Sequence, residues 1–149
     1  MKTPVPLYDH DFYAWTQQQA AQLRARKWRD LDYDNLAEEL EALGKRDRRE
    51  LEYRLEVLVM HFLKWRYQPE RRERSRGWRS TIREQRRRLA RLLRDSPSLR
   101  SEVPALLDDG YPHACGKALD ATRLPPETFP PTCPWTAVQV LDDAFWPEA

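Results

Sequence analysis

The sequence predicts an all-α protein: a single-domain helical bundle of four main helices plus a short C-terminal helix, organised around one long central helix at about 33–68. Two observations predict it. Apolar residues recur at every third or fourth position over several long stretches, which is the spacing of one helix face. No stretch alternates β-branched and polar residues as a half-buried strand does. The length of 149 residues suits one domain, so residues 1–149 are expected to fold together.

The central helix is predicted by an apolar stripe that keeps its phase throughout 33–68. Asp32 can cap its first turn, because a carboxylate there accepts an otherwise unpaired backbone amide. Pro69 ends it, since proline disfavours a helical residue before it. Gly44 costs about 1 kcal/mol relative to alanine, but the stripe continues across it and the helix is predicted to be unbroken. The stripe consists of Leu36, Leu40, Leu43, Leu51, Leu55, Leu58, Phe62 and Trp65.

The N-terminal segment is predicted to hold one helix after an irregular start. Residues 1–8 are expected to be an ordered lead-in without a helix, because Pro4 and Pro6 interrupt it. The string DFYAWTQQQAAQLRARK then predicts a helix capped by Asp9 or Asp11. A short turn leads from it into the central helix.

Two further main helices are predicted in the second half of the chain. Residues 77–94 carry an apolar face at helical spacing, opposite a face rich in arginine. The next helix, over about 97–123, is expected to be bent or split. Pro104 removes a backbone hydrogen bond and is expected to kink it, and Gly110 and Pro112 weaken it further.

Two connectors and a C-terminal element complete the predicted organisation. A basic connector occupies 69–76. A second connector, at about 124–134, contains five prolines and is expected to run extended over the surface. A short last helix is predicted at about 135–143, and Phe145 and Trp146 are expected to pack the tail against the core.

Composition argues against a membrane-spanning protein and against an exported one. Mean hydropathy is −0.88 and 34% of the residues are charged, so no apolar run is long enough to cross a bilayer. The N-terminal residues lack the basic and apolar regions of a signal peptide. Cys115 and Cys133 form no CxxC pair, and without an export signal a reduced, cytoplasmic protein is expected. No membrane partner is predicted.

Charge is distributed unevenly along the chain, although the net charge is only +2. Residues 71–94 carry eleven arginines and two glutamates, a net charge of +9. Residues 95–149 carry three basic and nine acidic side chains, a net charge of −6. Such segregation indicates either a basic binding surface or pairing between segments of the chain.

Several strings together resemble a known family. They are DFYAW, LAEELEALG, RRELEYRLEVLVMHFLKW, YQPERR, GWRSTIREQRRRLARLL, SPSL and CPWTAVQVLDDAFWP. The chain resembles, over nearly its whole length, the bacterial family known only as domain of unknown function twenty-nine, which is mainly cyanobacterial and proteobacterial. The resemblance implies an all-helical fold. It implies no activity, ligand or catalytic residue.

One group of polar residues lies on or beside the apolar stripe of the central helix. Asp47, Glu50, His61 and Lys64 predict a candidate polar pocket, with acid–base chemistry as its sharpest interpretation. The alternative is a core histidine whose hydrogen bonds are satisfied, with the charges at helix edges or paired with a neighbour. His61 is expected to be largely buried beside Trp65, because the two lie one turn apart.

No other pattern predicts an enzyme. A carboxylate-bridged metal site in a helical bundle needs Glu-x-x-His on facing helices, but Leu58 stands three residues before His61. The sequence has no glycine-rich phosphate loop. No metal and no cofactor are predicted, and an enzyme or ligand pocket around His61 remains the second alternative.

The arginine-rich helix is the strongest charge signal. A protein-interaction or oligomerising function is favoured, in which this face meets an acidic surface of a partner or of a second copy. Binding of a nucleic-acid backbone by the 71–94 cluster is the first alternative. It is disfavoured because no aromatic residues are interleaved with the arginines and the overall charge is low. A plain exposed face is the uninformative alternative. The candidate residues are Arg76, Arg83, Arg87, Arg91 and Arg94.

The same helix predicts two classes of arginine. Arg79 and Arg86 lie on its flank and are expected to be partly buried and paired with carboxylates. The expected partners are Glu38, Glu39, Glu41 and Glu50. Arg83, Arg87 and Arg94 are expected to point outward and to be unpaired in the monomer.

Overall fold

The computed structural model describes residues 5–148, which form six α-helices joined by 3₁₀ turns and irregular segments. No strand occurs in that range, and the predicted all-α class is confirmed. None of its helices combines the length and the apolar character needed to cross a bilayer. The helices are α1 (Leu7–His10), α2 (Phe12–Arg24), α3 (Tyr33–Tyr67), α4 (Arg76–Asp95), α5 (Val103–Thr122) and α6 (Ala137–Leu141).

The chain divides into two compact units, Met1–Arg46 and Asp47–Ala149, and the boundary falls within α3. Helix α3 itself is continuous over 35 residues and includes Gly44, as predicted. It ends one residue before the predicted limit of 68. The single-domain organisation stays a prediction, and the two units are described separately.

The start of the chain is more helical than expected. Helix α1 lies where the lead-in was predicted to have no helix, and it begins directly after Pro6 because proline is well tolerated at a helix start. Pro4 and the rest of residues 1–4 lie outside the described range. Of the two predicted caps of α2, Asp11 is the one observed, since its carboxylate accepts the backbone amide of Ala14 at 3.0 Å.

Polar contacts at the start of α3 join it to the preceding elements of the first unit. The carboxylate of Asp32 accepts hydrogen bonds from Trp15 Nε1 at 3.0 Å and Asn35 Nδ2 at 2.8 Å. These bonds, chiefly that from Asn35, hold the pKa of Asp32 below its ordinary value. The backbone amide of Asp32 donates to Gln19 Oε1 at 2.8 Å. Tyr8 donates to the carboxylate of Glu39.

Little of the first unit is buried. Trp15 and Gln19 are its buried residues within the described range. Leu40 and Leu43, which continue the apolar stripe of α3, are 68% and 53% exposed. The stripe is therefore covered only farther along the helix. The other exposed large hydrophobic residues of this unit are Val5, Phe12, Tyr13, Leu23, Trp28 and Tyr33.

The second unit contains the hydrophobic core, and the C-terminal half of α3 supplies much of it. Buried side chains of α4, α5 and α6 pack in the same core, represented by Ile82, Leu106 and Val140. A helix that is apolar on most of its faces needs neighbours on several sides. The buried residues of α3 are Leu51, Leu55, Leu58, Val59, Phe62, Leu63 and Trp65.

The helix predicted at 97–123 is split, but Pro104 does not kink it. A 3₁₀ turn, Pro97–Glu102, comes first and α5 begins at Val103. Pro104 therefore lies in the first turn of α5, where its missing amide would have no partner inside the helix. Pro112 lies inside α5 without ending it.

The C-terminal segment has the predicted order of connector, short helix and packed tail, but the connector does not simply run extended over the surface. The proline-rich connector includes the 3₁₀ turn Pro126–Thr128 and buries Phe129. Helix α6 spans five residues rather than the predicted nine and begins at a Thr136–Gln139 capping box. Phe145 and Trp146 pack against the core, which confirms that prediction.

Candidate functional site

His61 hydrogen-bonds to its own helix. Its Nδ1 lies 2.8 Å from the carbonyl oxygen of Val57, and because a carbonyl only accepts, Nδ1 carries the proton. Burial lowers the pKa of His61, and the charge of Lys64 lowers it further. Burial also lowers the pKa of Lys64. His61 is half-buried, less than predicted, whereas Trp65 is fully buried.

The four residues of the predicted polar pocket do not form one cluster. All lie on α3, and Asp47 precedes His61 by fourteen residues, or about 21 Å at 1.5 Å per residue. The carboxylate of Glu50 accepts from Arg54 Nε at 2.9 Å, one turn along the helix. The geometry therefore separates the group into two pairs, Asp47 with Glu50 and His61 with Lys64. His61 fits the alternative interpretation, a histidine whose hydrogen bond is satisfied by its own helix.

Four of the five predicted arginines share one stripe of α4. Arg76, Arg83, Arg87 and Arg94 fall within about 40° of one another at 100° per residue, and we call these four the arginine row. All four are exposed. Arg91 is exposed as well and lies about 40–80° further round the helix.

Glu84 partly neutralises this surface. Its carboxylate accepts from Arg87 Nη2 at 2.8 Å and from Arg88 Nε at 2.6 Å. These two ion pairs, chiefly that with Arg87, lower the pKa of Glu84 to about 2. The prediction that Arg87 is unpaired is therefore wrong, because a carboxylate three residues before it is within reach on the same helix. Arg83 and Arg94 form no ion pair with any residue of 5–148.

Arg86 is buried, with only 2% of its surface exposed, and it closes the end of α6. Its Nε donates to the carbonyl oxygen of Val140 at 2.9 Å and its Nη2 to that of Gln139 at 3.2 Å. Its guanidinium carbon lies 4.9 Å from the ring centroid of Phe62. Burial lowers the pKa of Arg86, while the charge of Asp143 opposes that shift.

The predicted carboxylate partners of the flank arginines are wrong. Arg86 is buried, in agreement with the expected partial burial, but its partners are backbone carbonyls and not carboxylates. These carbonyls lie at the end of α6, where a helix has few donors of its own. Arg79 is exposed and lies over aromatic rings, at 5.2 Å from the ring centroids of both Trp65 and Trp146. A guanidinium plane can stack on an aromatic face without a carboxylate.

Aromatic platforms do lie among the arginines, contrary to the prediction. The ring of Trp146 lies beneath Arg83, at 6.0 Å, and Arg86, at 5.9 Å, as well as beneath Arg79. Trp146 in turn packs on Trp65, with ring centroids 4.7 Å apart. Sequence spacing could not place Trp146 on α4, because the two are distant along the chain. The only signal was the aromatic and acidic string DDAFWP in the tail.

The arginine row borders a small concave site, which we call the arginine cavity. It has a volume of about 300 Å³ and is lined by Arg83, Arg86, Arg87 and Asp143. The Nη1 of Arg86 is buried and lacks a hydrogen-bond partner. A buried donor without a partner carries a large desolvation cost. Oxygens of a carboxylate or a phosphate could pair with the exposed guanidinium groups of Arg83 and Arg87 at this cavity.

A second cavity, of about 370 Å³, shares Arg87 with the first and brings together three of the predicted residues, Glu50, Arg87 and Arg91. Its charges are already largely paired within the chain. Arg54 binds Glu50, and it also donates to Gln85 Oε1 at 3.1 Å. The arginine cavity is therefore the better anion site of the two. The full lining of the second cavity is Glu50, Arg54, Arg87, Arg88, Arg91, Leu92 and Asp95.

Comparison with family models matches residues 7–146 to the Domain of unknown function DUF29. The match covers nearly the whole chain, so the chain belongs to this family, and the resemblance found in the sequence is confirmed. No curated protein and no solved structure matches the chain. The function of this family is unknown, so membership assigns no activity to the site.

Proposed function

We propose that this member of the DUF29 family is a protein-interaction module that binds an acidic segment of its partner on helix α4. The observation that carries the proposal is the arginine cavity, whose lining joins the exposed Arg83 and Arg87 to the buried Arg86, with Asp143 as its one carboxylate. Three guanidinium groups around one concavity suit the paired oxygens of a carboxylate, which a planar fork can bind with two hydrogen bonds.

The neighbours of Arg86 support this role because they hold it in place before a partner arrives. Two carbonyls of α6 and the ring of Phe62 fix its guanidinium group. Trp146 lies beneath the guanidinium groups of Arg83 and Arg86. Side chains that are ordered in advance lose less conformational entropy on binding, which leaves more of the interaction energy for affinity.

An acidic protein segment fits this surface better than a nucleic acid. The net charge is only +2 and the isoelectric point is about 8.6, below the strongly basic balance typical of nucleic-acid binding. Trp146 lies under the arginines and is only partly exposed, so it offers little open ring for stacking with bases.

A cytoplasmic location belongs to the same proposal. Cys115 and Cys133 are free thiols, as expected of a reducing compartment. Burial raises the pKa of both thiols, which disfavours the reactive thiolate. Fractionation of cells that express the chain tests the location, and recovery with the membrane or the exported fraction would contradict it.

The function can be tested with a helical, alanine-rich peptide that carries glutamates at positions i, i+4 and i+7, and with a glutamine version of the same peptide. We expect the glutamate peptide to bind and the glutamine peptide to bind much more weakly. The double variant R83A/R87A should weaken binding by about tenfold or more, because two charge-assisted pairs are lost. Calorimetric titration at two salt concentrations measures both effects.

The matched control is R49A/R71A, which removes two exposed arginines that line neither cavity. It should leave peptide binding unchanged. Equal binding of the glutamate and glutamine peptides would overturn the proposal. So would an equal loss of affinity for the glutamate peptide in R83A/R87A and R49A/R71A. Tighter binding to mixed-sequence duplex DNA than to the glutamate peptide, lost in R83A/R87A, would favour the nucleic-acid alternative instead.

A further inference from the structure

The N-terminal half of α3 carries an acidic face of the kind that the arginine row would bind. Residues 30–44 contain six acidic and no basic side chains. Asp34, Glu38 and Glu41 lie within about 60° of one another on this helix, and we call these three the acidic row. All three are exposed, and none forms an ion pair within the described part of the chain.

The neighbouring acidic residues of α3 and its cap are already occupied within the first unit. Asp32 accepts hydrogen bonds from Trp15 and Asn35, and Glu39 accepts one from Tyr8. The acidic row therefore differs from them in having no partner of its own. It lies on the side of α3 opposite the exposed Leu40 and Leu43, so it forms a separate, polar surface.

The acidic row and the arginine row are opposite in charge and share a four-residue spacing. Asp34 and Glu38 are four residues apart, as are Arg83 and Arg87, which places both pairs about 6 Å apart along their helices. Two helices packed side by side can therefore align both pairs, in either relative direction. The third carboxylate, Glu41, follows after three residues, and α4 has a further arginine one turn beyond each end of the Arg83–Arg87 pair.

We infer that the acidic segment bound by the arginine row is the acidic row of a second copy of this chain. The inference rests on the proposed function, since it names the partner of the same surface. Each copy carries both rows, so two copies can exchange them, and electrostatic complementarity of this kind favours both encounter and register. Exposed charges are screened by salt, so the association is expected to be strongest at low ionic strength.

The test is the mass of the full chain in solution, measured by light scattering over a range of concentrations at low and at moderate salt. The chain should approach twice its monomer mass of 17.8 kDa at low salt and return towards it as salt is added. Both D34K/E38K/E41K and R83E/R87E should be monomeric under conditions in which the wild type associates. Mixing the two variants should restore association, because the reversed rows are again complementary.

The matched control is D108K/D109K/D120K, which reverses three exposed carboxylates of α5 and should associate like the wild type. Far-ultraviolet circular dichroism confirms that each variant is folded. Persistent association of either reversed variant, or failure of the mixture to associate, would overturn the inference.

The remaining outcomes separate the inference from the proposed function. A chain that is monomeric at every concentration but still binds the glutamate peptide through Arg83 and Arg87 overturns the second copy as the partner and leaves the function standing. A monomeric chain that binds neither peptide overturns both.

Discussion

Arg86 donates from Nε to the carbonyl oxygen of Val140 at 2.9 Å, so a charged side chain of α4 closes the C-terminal end of α6. The relationship explains how a five-residue helix is retained in the core, because the last carbonyls of a helix otherwise lack donors. It also places a guanidinium group beneath the exposed arginine row. Arg86 therefore has two roles: it donates to the carbonyls of α6, and it lines the proposed binding cavity on α4.

Replacing Arg86 by methionine should lower the free energy of unfolding by about 1–3 kcal/mol, because the carbonyl of Val140 loses its donor, whereas that of Gln139 keeps the backbone amide of Asp142. Urea unfolding followed by circular dichroism measures the change. Arg94→Met on the same helix is the control and should change it by no more than about 0.5 kcal/mol, since Arg94 is exposed. Equal effects of the two substitutions would show that the bonds of Arg86 contribute little.

The apolar stripe of α3 should respond very differently in its two halves. Leu58→Ala should destabilise the protein by about 2–5 kcal/mol, because Leu58 is fully buried in the core of the second unit. Leu40→Ala, the same change at a position that is 68% exposed, should cost no more than about 0.5 kcal/mol in the monomer. Chemical unfolding of both variants checks the pair. A loss at Leu58 below about 1 kcal/mol would contradict the observed packing.

Reversing the outward charges of α4 should have little effect on stability. The triple variant R83E/R87E/R94E should keep the wild-type midpoint of thermal unfolding to within a few degrees, because exposed ion pairs contribute little. Partner binding should be lost at the same time. A triple variant that unfolds at a clearly lower temperature than Arg86→Met would mean that the outward and inward faces of α4 have been assigned the wrong way round.

The ion pairs of Glu84 should make stability depend on pH in the acidic range. Its pKa falls from an ordinary 4.5 to about 2 in the folded protein. A lowered folded-state pKa stabilises the native state above the unfolded-state pKa, and this contribution is lost as the pH falls towards 2. The dependence should be weaker in Glu84→Gln than in the wild type. Identical acid-unfolding curves for the two proteins would count against the pairing with Arg87 and Arg88.

His61 should stay neutral down to a lower pH than an ordinary histidine, because burial lowers its pKa from 6.5. The native state is then favoured above the unfolded-state pKa, and this contribution is lost as the pH falls below it. A titration of the imidazole carbon-bound protons by nuclear magnetic resonance measures the value directly. A measured pKa above 6.5 would contradict the burial of the ring, or would mean that the hydrogen bond to the Val57 carbonyl outweighs it.

The main helices could be predicted from the sequence because their signals are local. The stripe of α3, the cap at Asp11 and the apolar face of α4 all depend on residues a few positions apart. The error at Pro104 was also local in origin. A proline within a helical pattern predicts an interruption, whereas the preceding 3₁₀ turn places Pro104 in the first turn of α5, where it is tolerated.

The candidate site could be predicted only in part. The helical repeat is enough to put Arg76, Arg83, Arg87 and Arg94 on one exposed stripe. The same repeat suggested a pocket of four polar residues on α3, but residues on one straight helix spread along its axis, and Asp47 stays about 21 Å from His61. A concave site needs side chains from more than one element, and no spacing rule specifies those.

The sequence by itself determined the all-α class, the length of the central helix and the sign of the charge on α4. Each is a property of neighbouring residues, because helix formation and helical faces depend on positions three and four apart. Only the tertiary structure decided that Trp146 lies under the arginines and that Arg86 turns inward to the carbonyls of α6. Those contacts join segments more than fifty residues apart, and they follow from packing around a common core, which no local pattern encodes.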